Sequence, residues 1–184
     1  MSKDQEKNNR FEKWSIGEAA KWLIDNAKEA GINLDGFVHE VTNYFIHHVK
    51  KEHGNPDKEK TRGQIAVTED DFLKISEIIN NPDYAMIGVK RNNQNILYYI
   101  KRMNDGTTLY VEEVIDKNKS LRSRTMFKRK NDVDREKFIN IVSMNKNTDT
   151  SKSRIVSPLG TGSNPSYNQS QGSKAAANPV QPQD

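Results

Sequence analysis

Apolar residues recur along this chain in two different rhythms. Up to about residue 80 they fall at helical spacing, and from Tyr84 onward they alternate with polar residues. Ser15-Ile16-Gly17-Glu18 has the spacing of a capping box. It predicts a helix that packs through Ala19, Ala20, Trp22, Leu23 and Ala27 and stops at Gly31. A second helix is predicted from near Asp35, with Phe37, Val38, Val41, Tyr44, Phe45 and Val49 as its apolar stripe. Gly54-Asn55-Pro56 breaks it. Thr68 followed by Glu69, Asp70 and Asp71 predicts a third helix start, because the acids oppose the helix dipole and Thr68 can cap. Phe72, Ile75, Ile78 and Ile79 give that helix its packing face before Asn80-Asn81-Pro82 ends it.

Four strand signals follow, Tyr84–Lys90, Ile96–Arg102, Thr108–Ile115 and Leu121–Lys128. Short turns separate them, including the hairpin signal Asp105-Gly106, so neighbours must pair antiparallel. Lys137 to Ser143 has Phe138, Ile141 and Val142 at helical spacing and predicts a short closing helix. The expected fold class is α+β, with N-terminal helices packed on one face of a four-stranded antiparallel meander and the other face open to carry a site. Residues 1–12 are polar and charged, and residues 145–184 are rich in Ser, Asn, Gly, Pro and Gln. Both read as disordered segments flanking one domain at 13–144.

Composition narrows the chemistry. The 184 residues carry a net charge of +4 and no cysteine, which excludes disulfides, thiolate metal sites and a cysteine nucleophile. Mean hydropathy is −0.93, and no apolar run approaches the roughly 20 residues of a membrane span. A cytoplasmic protein with no membrane contact is the expectation. Between Lys117 and Lys130 there are seven Lys/Arg and no Asp/Glu, a local excess that suits an anionic partner.

Strand alternation places Leu97, Tyr99 and Lys101 on one face of the second strand, and separates Leu121, Ser123, Thr125 and Phe127 from Arg122, Arg124, Met126 and Lys128 on the fourth. Tyr99, Lys101, Thr125 and an Arg or Lys could form a phosphate groove. A solvated face with lysines that discourage edge pairing explains the same pattern. Among the histidines, His48 falls on the apolar stripe and reads as partly buried, while His39 and His47 lie off it and read as solvent-facing. His53 sits in the last turn of its helix, where a cation is favoured. Arg62-Gly63 offers a further guanidinium and free backbone N–H groups. There is no HExxH, phosphate-loop or dinucleotide fingerprint. Asp70 and Asp71 could form a catalytic carboxylate pair, but the helix start accounts for them.

Taken in order, several blocks resemble a known family. They are His47-His48…His53-Gly54, Arg62-Gly63-Gln64-Ile65, Thr68…Asp71-Phe72, Ile78-Ile79-Asn80-Asn81-Pro82-Asp83, Tyr98-Tyr99-Ile100-Lys101, Tyr110-Val111-Glu112-Glu113-Val114 and Thr125-Met126-Phe127-Lys128. Over residues 35–130 this succession resembles the phage-associated nuclease domains of the barnase–EndoU–colicin–RelE-like superfamily. The resemblance implies a metal-independent, cofactor-free endoribonuclease of toxin or effector type, acting on RNA, with an immunity protein as a conceivable partner. It implies His53, Lys101 and Thr125 as catalytic residues and Arg62, Tyr99, Arg124 and Lys128 as substrate ligands. His47 and His48 stand as alternatives to His53. A non-catalytic nucleic-acid-binding module and a phage accessory protein that keeps the fold for protein contacts are the competing classes.

Overall fold

The computed structural model describes residues 12–144 and 148–158; the disordered segments expected at 1–12 and 145–184 fall for the most part outside these residues. The described chain runs β1 (Lys13–Glu18), α1 (Lys21–Glu29), β2 (Val38–Thr42), α2 (Asn43–His53), α3 (Pro56–Thr61), β3 (Gln64–Ile65), α4 (Glu69–Leu73), α5 (Ile75–Asn80), β4 (Tyr84–Arg91), β5 (Gln94–Met103), β6 (Gly106–Ile115), β7 (Ser120–Arg129), α6 (Arg135–Ser143), β8 (Thr148–Asp149) and β9 (Arg154–Val156).

The expected four-stranded α+β fold is corrected in three respects. First, among the described residues the sheet has nine strands, seven in the order β1-β2-β7-β6-β5-β4-β8, with β3 also on β7 and β9 also on β4. Second, it is mixed, because β2 pairs parallel to β7 while the other pairs are antiparallel. Third, both faces are covered. On one face Leu23, Phe45, Val49 and Ile78 pack against Tyr99, Tyr110 and Met126. On the other, Phe138 and Val142 of α6 pack on Ile96, Tyr98, Leu109 and Val111. Phe138 and Val142 are fully buried, each worth on the order of 1.5–3 kcal/mol, so the face expected to be wet is closed over part of its area.

Local signals explain the shifted elements. Ser15–Glu18 has capping-box spacing but lies in β1, held by pairing with β2, and α1 starts behind Ala20 instead. The stripe from Phe37 to Val49 contains a strand and a helix in succession. Thr42 ends β2 and caps α2 by accepting from the Phe45 N–H at 3.1 Å. The β4–β5 turn puts Asn92 and Asn93 at φ 50° and 62°, the left-handed pair that a two-residue hairpin turn needs. Residues 148–158, which composition assigns to the tail, add β8 and β9 to the exposed side of β4.

Two irregularities of β7 position the site. Its outer side pairs with β2 at Ser120–Arg122 and with β3 at Lys128–Arg129. Between them, among the described residues, no strand covers Ser123–Phe127, and α2 packs there instead. On its inner side Val111 opposes Thr125 while Glu112 opposes Ser123. Arg124 is therefore the extra residue of a β-bulge, a feature that bends a strand and re-aims side chains.

Candidate nucleic-acid site at the uncovered edge of β7

A groove of about 810 Å³ opens along this edge. From the sheet come Arg122, Ser123, Arg124 and Thr125 of β7, Glu113 of β6 and Arg91 at the end of β4. From the other side come Lys13, Thr42, and Tyr44 and His48 of α2. Four cations, one carboxylate and one imidazole thus share the walls. Tyr44 and His48 are one helical turn apart, and their rings stack with centroids 6.3 Å apart and planes 12° from parallel. Tyr44 is 66% exposed and offers its open ring face to the solvent. Arg124 donates to Glu113 at 3.0 Å. Lys13 is held by Glu40 at 2.5 Å, and Ser120 donates to the same carboxylate at 2.5 Å. Burial pushes the Glu40 carboxyl up, but the bonds from Lys13 and Ser120 and the charges of Lys13 and Arg122 outweigh it and hold it below its ordinary value.

Behind the wall lies a buried polar cluster. Glu112, fully buried, accepts from the Tyr99 hydroxyl at 2.9 Å and the Tyr110 hydroxyl at 3.3 Å, and both its oxygens lie 3.0 Å from His39 Nδ1. His39, expected at the surface, is 1% exposed, because it belongs to β2 and its side chain turns under the sheet. Burial, then the Glu112 charge, pushes both phenols well above the ordinary tyrosine value. Ser123, the cross-strand partner of Glu112, reaches from this cluster to the groove.

The residues expected to act together are divided between the two faces of the sheet. Thr125 and Arg124 line the groove. Tyr99, Lys101 and Lys128 are on the opposite face of the sheet, in line with Tyr110 and Met126 or with Thr108, whereas Thr125 is in line with Val111. Tyr99 is fully buried on Glu112 and cannot stack on a base. Lys128 is 1% exposed and tied to both oxygens of Asp71 at 3.0 Å and to Asp105 at 2.5 Å. Lys101 lies 3.9 Å from Asp83 with 13% of its side chain exposed. Arg62 donates to Glu59 at 2.7 Å and to the Glu52 carbonyl at 3.0 Å. Asp71 caps α4 by accepting from the Thr68 N–H at 2.8 Å.

His53 stands one layer behind the groove. Its Nδ1 is 3.3 Å from the buried Glu59, its ring lies 5.7 Å from Phe127, and its edge meets His48 at 6.5 Å. His47 is on the outer face of α2 and outside the groove. Sequence reasoning did not single out Lys13, Tyr44, Arg91 or Glu113 for the site, and it read His48 as partly buried while keeping it as an alternative to His53. The available signal was the Tyr44–His48 spacing of four on a helix that also carries Phe45 and Val49 one position further round. Among the described residues no three His, Asp or Glu side chains gather as a metal-binding group.

A family profile described as "phage-Barnase-EndoU-ColicinE5/D-RelE like nuclease3" matches residues 17–136. The chain belongs to this nuclease family. The matched span begins in β1 and ends at the start of α6, so it contains every groove residue except Lys13. A nucleic-acid substrate for the nuclease agrees with the four cations on the groove walls. No curated protein and no solved structure matches the chain. Among the described residues no helix is long and apolar enough to cross a membrane.

Proposed function

We propose that this nuclease is an endoribonuclease that needs no metal and cleaves RNA by transesterification in the β7 groove. The observation that carries the reading is the pairing of an imidazole and a carboxylate from different elements around a cluster of arginines. Glu113 of β6 takes the proton from the ribose 2′-hydroxyl, and the 2′-oxygen attacks the adjacent phosphorus. His48 of α2 protonates the departing 5′-oxygen. Arg122, Arg124 and Thr125 hold the phosphoryl oxygens, where negative charge builds. The products are a 2′,3′-cyclic phosphate and a 5′-hydroxyl. In-line displacement needs acid and base on opposite sides of the phosphorus, and here they come from different elements, His48 from α2 and Glu113 from β6. His53, hydrogen-bonded to Glu59 and edge-on to His48, positions the His48 ring rather than touching substrate. A toxin or effector role extends the same reading, with an acid-surfaced immunity partner covering the groove's cations.

The test is incubation of the purified protein with RNA, and with DNA of the same sequence, in EDTA. Removing a general acid typically costs 10²–10⁴ in rate, so His48→Ala should lose about that much activity without loss of folding. Glu113→Gln should behave likewise. DNA cut as fast as RNA, or activity abolished by EDTA, would refute the mechanism. The exposed Tyr44 ring favours a second reading, a binding module that stacks bases. Intact RNA that is bound with steep salt dependence would select it.

A further inference from the structure

We propose that a second, smaller cavity beside the groove is a nucleobase subsite selective for oxo bases, uracil or guanine, over amino bases, cytosine or adenine. Its place next to the scissile phosphate rests on the ribonuclease reading, whereas its selectivity rests on its own lining.

The cavity has a volume of about 260 Å³ and lies between α6 and the sheet. That is below the roughly 300 Å³ at which drug-sized sites begin, and it suits one base rather than a whole nucleotide. Tyr98, Leu109 and Val111 form an apolar floor, each about 3% exposed and so fixed by packing. Phe127 and Met144 stand at the sides. Met144 is 80% exposed, an uncovered apolar group at the mouth of a cavity where a flat ring would bury it. Such a slot selects planar apolar faces.

The rim decides which base. Arg91, Arg124 and Arg129 surround it, and neither a carboxylate nor a side-chain amide lines it. Guanidinium groups only donate hydrogen bonds. At the edge where guanine and uracil carry O6 and O4, adenine and cytosine carry an amine that would meet donors there and be left unpaired. The carbonyl oxygens of uracil, and O6 with N7 of guanine, present acceptors that an arginine can grip. Thr125 and Tyr98 supply the side-chain hydroxyl oxygens that can accept a ring N–H. Arg124 is engaged with Glu113. Among the described residues Arg91 and Arg129 have no carboxylate partner, so their guanidinium groups are available to a ligand. Arg91, Arg124 and Thr125 line both this cavity and the groove. A base here and its own phosphate in the groove would thus contact the same three side chains.

The experiment is calorimetric titration of the full chain with the 3′-monophosphates of uridine, guanosine, cytidine and adenosine. Uridine should bind about tenfold tighter than cytidine, and guanosine about tenfold tighter than adenosine, toward the low end of what one arginine–base pair discriminates. An Arg91→Gln/Arg129→Gln double variant should bring each ratio near unity while keeping its thermal midpoint. Equal affinities, a preference for the amino bases, no binding of any of the four, or a preference that survives in the double variant would overturn the subsite. A parallel digestion with sequencing of the cut ends separates the two readings. Selective titration without cleavage keeps the subsite and refutes the ribonuclease. Cleavage with flat titration and no base bias at the cuts does the reverse.

Discussion

Lys128 gives the sharpest test of how the basic run of β7 is used. Its ammonium lies 3.0 Å from both Asp71 oxygens and 2.5 Å from Asp105, with 1% of its side chain exposed. Lys128→Met removes the cation and keeps most of the volume. Asp71, 3% exposed at its side chain, then remains as a buried carboxylate supported only by Thr68 and, at 3.7 Å, by Lys74. Breaking a buried pair in this way costs about 3–5 kcal/mol. Asp105 is 52% exposed and can turn to water, so its loss adds little. For a domain of this size 1 kcal/mol moves the thermal midpoint by about 2–4 °C, so a fall of roughly 10 °C is expected by calorimetry. Adding Asp71→Asn removes the stranded charge while keeping an oxygen for the Thr68 N–H, and should recover most of the loss. The pair also sets a pH signature. Burial pushes Asp71 up, but its bonds to Thr68 and Lys128 prevail and hold it below its ordinary value. Burial pushes Lys128 down, but Asp105 and Asp71 prevail and hold it above its ordinary value. The Asp71 contribution is complete above about pH 3.9 and lost as pH falls through the folded value below that. The Lys128 contribution is complete below about pH 10.4 and lost as pH rises through the folded value above it. Lys128→Met should flatten both flanks. A midpoint within about 2 °C of wild type, together with a drop in RNA affinity, would refute the argument and return Lys128 to the substrate.

Three further outcomes follow from the same geometry. Glu112→Leu strands the Tyr99 and Tyr110 hydroxyls and His39 together, and should cost about 3 kcal/mol or more in urea unfolding; a loss under about 1 kcal/mol would mean the cluster is hydrated. Since burial and Glu112 raise both phenols, a spectrophotometric alkaline titration should leave two of the six tyrosines un-ionised until the protein unfolds. Gly106 has φ +151°, and a Cβ there would clash with the Arg129 carbonyl, so Gly106→Ala should destabilise by about 1–3 kcal/mol and pull β6 from β7; unchanged stability would show that the hairpin end can shift.

The central hairpins were legible because their signals are local. The four strand stretches and their short turns each lie within a few residues of what they specify. The N-terminal half was not, and the spacing of Phe37, Val41, Phe45 and Val49 shows why. Residues four apart satisfy both a period of 2 and a period of 3.6, so the stripe reads straight through the change from β2 to α2 at Thr42. The parallel pairing of Val38–Glu40 with Ser120–Arg122 joins segments some eighty residues apart, and no local pattern encodes it. Ser15 to Glu18 carried a helix signal that strand pairing overrode. Glu112, a charged residue in a strand read by alternation, gave no hint that His39 and two tyrosines would close around it.

The site was legible in kind but not in membership, and one inserted residue accounts for most of the difference. The run Lys117–Lys130 does mark the cationic strand. Strict alternation along it groups Thr125 with Leu121 and Ser123, and Arg124 with Lys128. The bulge at Arg124 breaks that phase. Before it, Ser123 turns toward the Glu112 cluster and Arg122 toward the opposite face; after it, Met126 and Lys128 take the inner face and Thr125 and Phe127 the outer. The cations of β7 therefore separate by function. Lys128 goes inward to neutralise Asp71, where a cation is worth several kcal/mol to the fold. Arg122 and Arg124 stay on the groove, which opens at the stretch of β7 between its pairings with β2 and β3. Deleting Arg124 would restore simple alternation. It should leave Ser123 opposite Glu112 and Thr125 opposite Val111, but straighten the strand, remove the bulge that aims this wall of the groove and abolish cleavage even though three of the groove's four cations remain. Nuclease activity that survived this deletion would place the chemistry elsewhere on the protein.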